Sequence, residues 1–198
     1  MPDQWFHKIF SVSNAVFEEL AIEIFRFQYQ NNSIYRAYIQ MLKVDPKRVS
    51  EVSKIPFLPI QFFKSHRVKT TEFEPEIVFE SSGTTLTING YHFIKNAELY
   101  TQSFSKTFQM FYGPVEQWCI IGLLPSYLER KNSSLVFMVD ELIRRSGHSQ
   151  SGLYLHELDK LCLTLKEVEA QKQQTLLIGV ALLCLILRTN IPYPWNIR

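Results

Sequence analysis

Ser81-Ser82-Gly83-Thr84-Thr85 is the stretch whose residue types and spacing could do chemistry. Four hydroxyls stand around one glycine, directly after the apolar run Ile77-Val78-Phe79 and Glu80. Gly83 lets the backbone take positive φ and approach a ligand closely. The N–H groups of such a turn can form an anion nest, and Ser and Thr hydroxyls add donors. That is chemistry for holding a polyphosphate. The alternative is a Ser/Thr-rich turn between two strands. At average residue usage, a chain of 198 residues would contain this string by chance with a probability on the order of 10⁻⁴.

Other sites are not signalled. The chain has no Gly-x-Gly-x-x-Gly, no P-loop ending in Gly-Lys-Ser/Thr, no Gly-x-Ser-x-Gly elbow and no His-Glu-x-x-His. Its five histidines, His7, His66, His92, His148 and His156, do not fall at metal-ligand spacing. Each reads as a surface or packing histidine, and no metal site is predicted. Cys119, Cys162 and Cys184 include no Cys-x-x-Cys pair, which argues against a disulfide framework and a zinc ribbon.

The elements that must position the loop follow from apolar periodicity. Ser13 or Asn14 is expected to cap a helix carrying Phe17, Leu20, Ala21, Ile24 and Phe27. A second helix is expected from about Ser33 to Leu42, with Tyr35, Tyr38, Ile39 and Leu42 inward. In Ile55-Pro56-Phe57-Leu58-Pro59, Pro56 forbids a long helix and Pro59 suits the first turn of a short one. Strands are expected at Ile77 to Phe79 and at Tyr91 to Ile94, flanking the loop. Asn96 then caps a helix with Tyr100, Phe104, Phe108 and Phe111 along one stripe. Trp118 to Leu124 reads as a strand buried on both faces. A helix carries Leu135, Met138, Val139, Leu142 and Ile143, and a short strand follows at Leu153 to Leu155. His156 to Gln173 reads as an amphipathic helix, and Thr175 to Val180 as another buried strand. A helical start followed by alternating strands and helices predicts an α/β fold with a largely parallel sheet.

Composition sets the limits. Of the residues, 46% are hydrophobic and 20% charged, which fits a globular chain and excludes a disordered one. The 21 Lys and Arg against 19 Asp and Glu give no general attraction to nucleic acid or anionic lipid. The first ten residues lack the apolar core of a secretory signal, so a cytoplasmic location is expected. Leu176 to Leu187 is a run of twelve apolar residues closed by Arg188. A spanning helix needs about 20. The run reads as a buried strand entering a core element, with a short membrane anchor as the alternative.

The combination of segments carries a resemblance. Ser81 to Thr85 resembles the phosphate loop of the adenylate-forming acyl-CoA synthetases and ligases. Ile55 to Val68 (IPFLPIQFFKSHRV), the loop itself, Leu123 to Ile143, Ser146 to Leu155 (SGHSQSGLYL) and Thr175 to Val180 together resemble the acyl-protein synthetases of the LuxE type, distant relatives of phenylacetate-CoA ligases. The likeness runs from about residue 10 to Val180. It implies the N-terminal portion of the adenylate-forming fold over residues 1–180, followed by a divergent tail over 181–198. It also implies a reaction: a fatty-acyl carboxylate attacks the α-phosphate of ATP, with Mg²⁺ as co-substrate ion, giving acyl-AMP and pyrophosphate. The acyl group then passes to a protein thiol, from which a partner reductase can take it. On this resemblance Ser81, Ser82, Gly83, Thr84 and Thr85 hold phosphates, and His92 and Lys95 are further phosphate or adenylate contacts. Pro125, Ser126 and Tyr127, at the end of a buried strand, form the wall of an acyl or adenylate pocket. For Tyr127 the alternative is a packing aromatic.

The chain also departs from that family. Where members continue with Gly and a Pro-Ser-Arg-His stretch, this chain has Leu86, Asn89, Gly90, Tyr91 and His92, and the lost Arg takes a bidentate phosphate donor with it. The adenine, ribose, lid and acyl-accepting cysteine elements of the family's later half are not in this sequence, so the acceptor cysteine is expected beyond the chain end. Cys119 and Cys162 read as core thiols, and no acceptor role is carried to Cys184. The tail from Ile186 to Arg198 reads as out of frame with the family, and the isolated chain is expected to be poorly soluble. Three functions stay open here: an acyl-activating ligase of the acyl-protein or acyl-CoA type, an inactive fragment, and a non-enzymatic interaction module. The expected partners are a fatty acid or other acyl carboxylate and an acyl-accepting protein or acyl reductase, with no nucleic acid and no membrane.

Overall fold

The computed structural model describes residues 2–81, 89–125 and 132–179. The chain divides into two compact units, Met1–Tyr100 and Thr101–Arg198.

The first unit begins with three helices, α1 (Pro2–Phe10), α2 (Phe17–Asn31) and α3 (Ser33–Met41). Neither Ser13 nor Asn14 caps α2. Residues 13–16 form a turn in which the Val16 N–H donates to the Ser13 carbonyl at 3.1 Å, so the helix starts later, after Val16, without a side-chain cap. Glu18 and Glu19 sit in its first turn, where carboxylates complement the helix dipole. The apolar stripe is also rotated from the expected one. Ile22 and Phe25 are the buried residues of α2, while Phe17 is 53% exposed. Phe27 instead meets Trp5 of α1, with ring centroids 5.1 Å apart.

Asn32 both ends α2 and starts α3. Its N–H donates to the Gln28 carbonyl at 2.8 Å, and its Oδ1 accepts from the Tyr35 N–H at 3.0 Å. A side chain that satisfies backbone groups at the junction lets two helices abut with no loop between them. Ile22, Phe25, Tyr35, Ile39, Val49 and Ile55 form the core here. The Tyr35 hydroxyl donates to the Pro56 carbonyl at 2.8 Å, which fixes the proline segment, and burial pushes the Tyr35 pKa up to about 12. As expected from Pro59, a short helix follows, α4 (Phe62–Ser65).

β1 (Ile77–Glu80) and β2 (Tyr91–Ile94) pair antiparallel with each other, from Ile77 opposite Ile94 to Glu80 opposite Tyr91. They do not join a parallel sheet. The connection of 81–90 is shorter than the dozen or more residues a parallel crossover needs. The Asn96 Oδ1 accepts from the N–H groups of Glu98 and Leu99 at 2.8 and 3.3 Å and so caps α5 (Ala97–Tyr112) as expected.

The second unit holds the parallel sheet. β3 (Cys119–Leu123) lies between β4 (Gly152–Leu153) and β5 (Thr175–Gly179), parallel to both. α6 (Ser134–Ser146) connects β3 to β4, and α7 (Leu158–Ala170) connects β4 to β5. All five residues of β3 are buried, because each face meets a helix. Cys119, Ile121 and Leu123 pack with Leu161, Leu165 and Val168 of α7. Ile120 packs with Leu142 of α6 and Phe108 of α5, and Leu124 with Val136 and Val139 of α6. Alternating strand residues thus serve opposite faces, and helices cover both. At Gly122 a Cβ would stand 2.5 Å from Leu153 Cδ2 and 3.0 Å from Val139 Cγ1, so only glycine allows this approach.

The Ser146-Gly147-His148-Ser149-Gln150-Ser151 run closes α6 and enters β4. Gly147 takes the left-handed cap conformation with φ of 62°. The Ser146 and Ser151 hydroxyls lie 2.8 Å apart, and the Ser151 Oγ accepts the Ile120 N–H at 2.9 Å. The run is a structural joint. Leu176, Leu177 and Ile178 are in β5, as expected for the start of the apolar run. Among the described residues no helix is long and apolar enough to cross a membrane. The later part of that run, Cys184 and the tail lie outside the described residues.

Candidate functional site

β1 and β2 flank the Ser/Thr-rich run in the sequence. The loop's two ends are tied together at a mouth formed by Ser81 and Gly90. The Ser81 N–H donates to the Gly90 carbonyl at 2.9 Å, and the Gly90 N–H donates to the Ser81 Oγ at 2.8 Å. The carboxylate of Glu80, the last residue of β1, accepts from Asn89 Nδ2 on the loop side of Gly90 at 2.6 Å. Ser81 therefore has a definite task, closing the mouth. Ser82, Gly83, Thr84 and Thr85 lie outside the described residues.

Gly90 is narrow ground. A Cβ there would stand 3.2 Å from the Ser81 Oγ, 3.4 Å from the Phe63 carbonyl and 3.5 Å from the Lys64 Cγ. Alternate strand residues share a face, so Gly90 and His92 look the same way, toward α4. The Phe63 ring meets the His92 ring edge-on at 6.3 Å between centroids. His92 stays exposed over part of its surface, yet burial of the ring lowers its pKa from the ordinary histidine value. A neutral imidazole can donate at one nitrogen and accept at the other, so His92 offers hydrogen bonds without a fixed charge.

Lys95 goes elsewhere. Each strand residue advances about 3.3 Å, which puts Lys95 roughly 16 Å from Gly90 along β2. Its ammonium lies 5.8 Å from the centre of the Phe73 ring, which Lys69 also approaches, at 5.0 Å. The hairpin thus brings His92 near the loop's mouth and carries Lys95 off the opposite end. Lys64, whose stem lies against the mouth, was visible in sequence only as part of the Gln61-Phe62-Phe63-Lys64-Ser65-His66 run. Nothing in its spacing from the loop signals the contact, because the packing of α4 on β2 makes it.

In the second unit, Pro125 is half-buried and follows Leu124 at the carboxyl end of β3, where open parallel sheets place ligands. Ser126 and Tyr127 lie outside the described residues. Cys119 is fully buried, and burial raises its thiol pKa, partly offset by a hydrogen bond with Ser151. A buried thiol of raised pKa is a poor nucleophile, in keeping with a core role. Among the described residues no group of three or more His, Cys, Asp or Glu could hold a metal ion.

Comparison with known proteins bears on what this arrangement is for. The family model described as acyl-protein synthetase, LuxE, matches residues 7–189. A Photorhabdus luminescens protein named long-chain-fatty-acid–luciferin-component ligase is 40% identical over 68 residues, covering 34% of this chain and 58% of that protein. The match therefore spans little more than half of the relative's length. No solved structure matches the chain.

Proposed function

The chain belongs to the LuxE acyl-protein synthetase family, and from that premise we propose that it takes part in ATP-dependent activation of a fatty-acyl carboxylate for transfer to a protein thiol. The observation that supports this most is the mouth of the loop. Ser81 and Gly90 lock the ends of a hydroxyl-rich run on a two-stranded stem, with His92 two residues along β2 from Gly90.

In the proposed reaction a carboxylate oxygen attacks the α-phosphorus of ATP. The bond from that phosphorus to the bridging oxygen breaks, and pyrophosphate leaves with its electron pair. Donors of Ser81 to Thr85 offset the charge that gathers on the β- and γ-phosphates. A thiolate then attacks the acyl carbonyl, and AMP departs. Cys119 is not that thiol, since its sulfur is packed beneath α7. Mg²⁺ is assigned to the phosphates of ATP as a co-substrate ion, and no described side-chain cluster is asked to hold it. Pro125 to Tyr127 is assigned to the wall of the acyl or adenylate pocket. The parallel β4-β3-β5 sheet with helices on both faces is compatible with the N-terminal portion of an adenylate-forming enzyme.

The test is exchange of labelled pyrophosphate into ATP, run with and without a long-chain fatty acid. Fatty-acid-dependent exchange is expected, and Thr84→Val should lower it by at least about tenfold, the cost of a lost charge-assisted hydrogen bond. Absence of exchange, even with the C-terminal part of a full-length family member supplied in trans, overturns the proposal.

A further inference from the structure

We propose that the surface running from the end of α3 through the proline segment to α4 docks on an anionic lipid bilayer, with Phe57 and Ile60 entering its headgroup layer. The proposal is independent of the phosphate-loop reading and rests on residues 41–67 alone. Charge is the first observation. The near-even balance of the whole chain, which gave no reason to expect a membrane, hides a local excess. Between Met41 and Arg67 stand six Lys and Arg against two Asp and Glu, so the rest of the chain carries 15 against 17. All eight of these charged residues are exposed. Asp45 pairs with Arg48 and Glu51 with Lys54. Lys43, Lys47, Lys64 and Arg67 have no carboxylate partner among the described residues. From α2, Glu18 accepts the Val52 N–H and Arg26 donates to the Val49 carbonyl, one charge of each sign.

The second observation is apolar. Phe57 is 70% exposed and Ile60 72%, although the segment that carries them is fixed. Ile55 is buried, the Tyr35 hydroxyl donates to the Pro56 carbonyl at 2.8 Å, Leu58 packs on the helical core, and Phe62 meets Tyr38 edge-on at 5.6 Å. The two anchors stand on successive turns of α3, and Phe57 and Ile60 are the large residues between them left outside. The Phe63 N–H donates to the Ile60 carbonyl at 3.1 Å and the Lys64 N–H to the Gln61 carbonyl at 3.0 Å, so Lys64 follows Ile60 by about one turn. Met41 and Leu42 are exposed at the end of α3, three and four residues past Tyr38, and so continue the side that meets Phe62. Bulky apolar residues interleaved with unpaired cations suit lipid better than protein. Lysine is depleted at protein interfaces, where a charge needs a fixed partner. A bilayer asks only that cations stand near a layer of negative headgroups, while apolar side chains gain by entering the acyl boundary. Such contact lies on the surface and needs no spanning helix.

The experiment is flotation of the full chain with vesicles of phosphatidylcholine alone, or of phosphatidylcholine and phosphatidylserine in about a two-to-one ratio, at low and high salt. Bound chain floats with the lipid, whereas aggregate pellets. Binding to the anionic vesicles is expected, weakening at high salt and at least about tenfold weaker on phosphatidylcholine alone. Phe57→Ser combined with Ile60→Ser should weaken it by about tenfold or more, with the melting temperature unchanged because both side chains are already exposed. Lys47→Gln and Lys64→Gln should each cost about fivefold, and Lys166→Gln, on α7, should cost nothing. Phe57→Trp should gain a blue-shifted emission on anionic vesicles, which reports insertion directly. If wild type does not float with anionic vesicles at low salt, or if the double serine variant floats as well as wild type, the proposal is wrong. Retention on polyglutamate without flotation would assign the surface to an acidic protein, and a Phe57-dependent dimer that does not float would assign it to a second copy. Either result overturns the lipid reading and leaves the proposed acyl activation untouched.

Discussion

The two β-structures of this chain are built on opposite terms. β3 buries all five of its residues and is flanked by parallel strands, with α7 on one face and α5 and α6 on the other. The β1–β2 hairpin leaves Tyr91 and His92 exposed and spends its polar groups on tying a loop shut. Their glycines show the same contrast. Gly122 is forced by apolar neighbours, Leu153 and Val139, whereas Gly90 is crowded by polar ones, the Ser81 hydroxyl and the Phe63 carbonyl. One strand is packed on both faces, and the other leaves residues exposed beside the run proposed to bind phosphate. Stability therefore resides in the sheet, and binding is assigned to the hairpin, where loss of a contact changes affinity before it changes folding.

The sharpest way to break this contrast is to add volume at the two glycines. Gly122→Val places branched methyls where even a Cβ is 2.5 Å from a neighbour. It should destabilise the second unit by about 3 kcal/mol or more, through forced side-chain and strand shifts. Gly90→Ala should cost less than about 1 kcal/mol, since a neighbour at 3.2 Å need give only slightly, the position does not need positive φ, and the alanine gains from a stiffer unfolded chain. Urea unfolding followed by tryptophan fluorescence compares them, and equal losses would erase the distinction drawn between the strands.

A smaller effect sharpens the hairpin's side. Burial lowers the His92 pKa, so the folded state prefers the neutral ring, and the Phe63 ring stands edge-on beside it. As pH falls past the ordinary histidine value of about 6.5, the unfolded chain takes up this proton first. The stabilisation linked to His92 is thus complete above that pH and is lost as pH falls toward the depressed folded value. Partial exposure keeps it small. In an NMR titration the His92 ring should have a midpoint below the ordinary value, and Phe63→Ala should move it back up. A midpoint at or above the ordinary value in wild type would mean that α4 does not pack on this face of β2.

Much of this is legible in the sequence, for physical reasons. The near-continuous apolar run and burial of β3, the short strands around the loop and the Asn96 cap are all local signals, and local signals survive folding. What the sequence hides is set by packing. The start of α2 moved past Ser13 and Asn14 because a turn consumed those residues first, and its inward face was chosen by Trp5 on one side and the Tyr35 core on the other. At the loop's ends, packing rather than proximity along the chain sets the neighbours. Lys95 is near the loop in sequence and leaves along β2, while Lys64 is far upstream and returns through α4.

The most direct test of a phosphate-binding hairpin is amide hydrogen exchange of the chain with and without tripolyphosphate. The expected result is slower exchange confined to Ser81–Tyr91 and the neighbouring α4, with the amides of β3 unchanged because they are already protected. Unchanged exchange at Ser81–Tyr91 under saturating tripolyphosphate, or protection confined to the second unit, would contradict it.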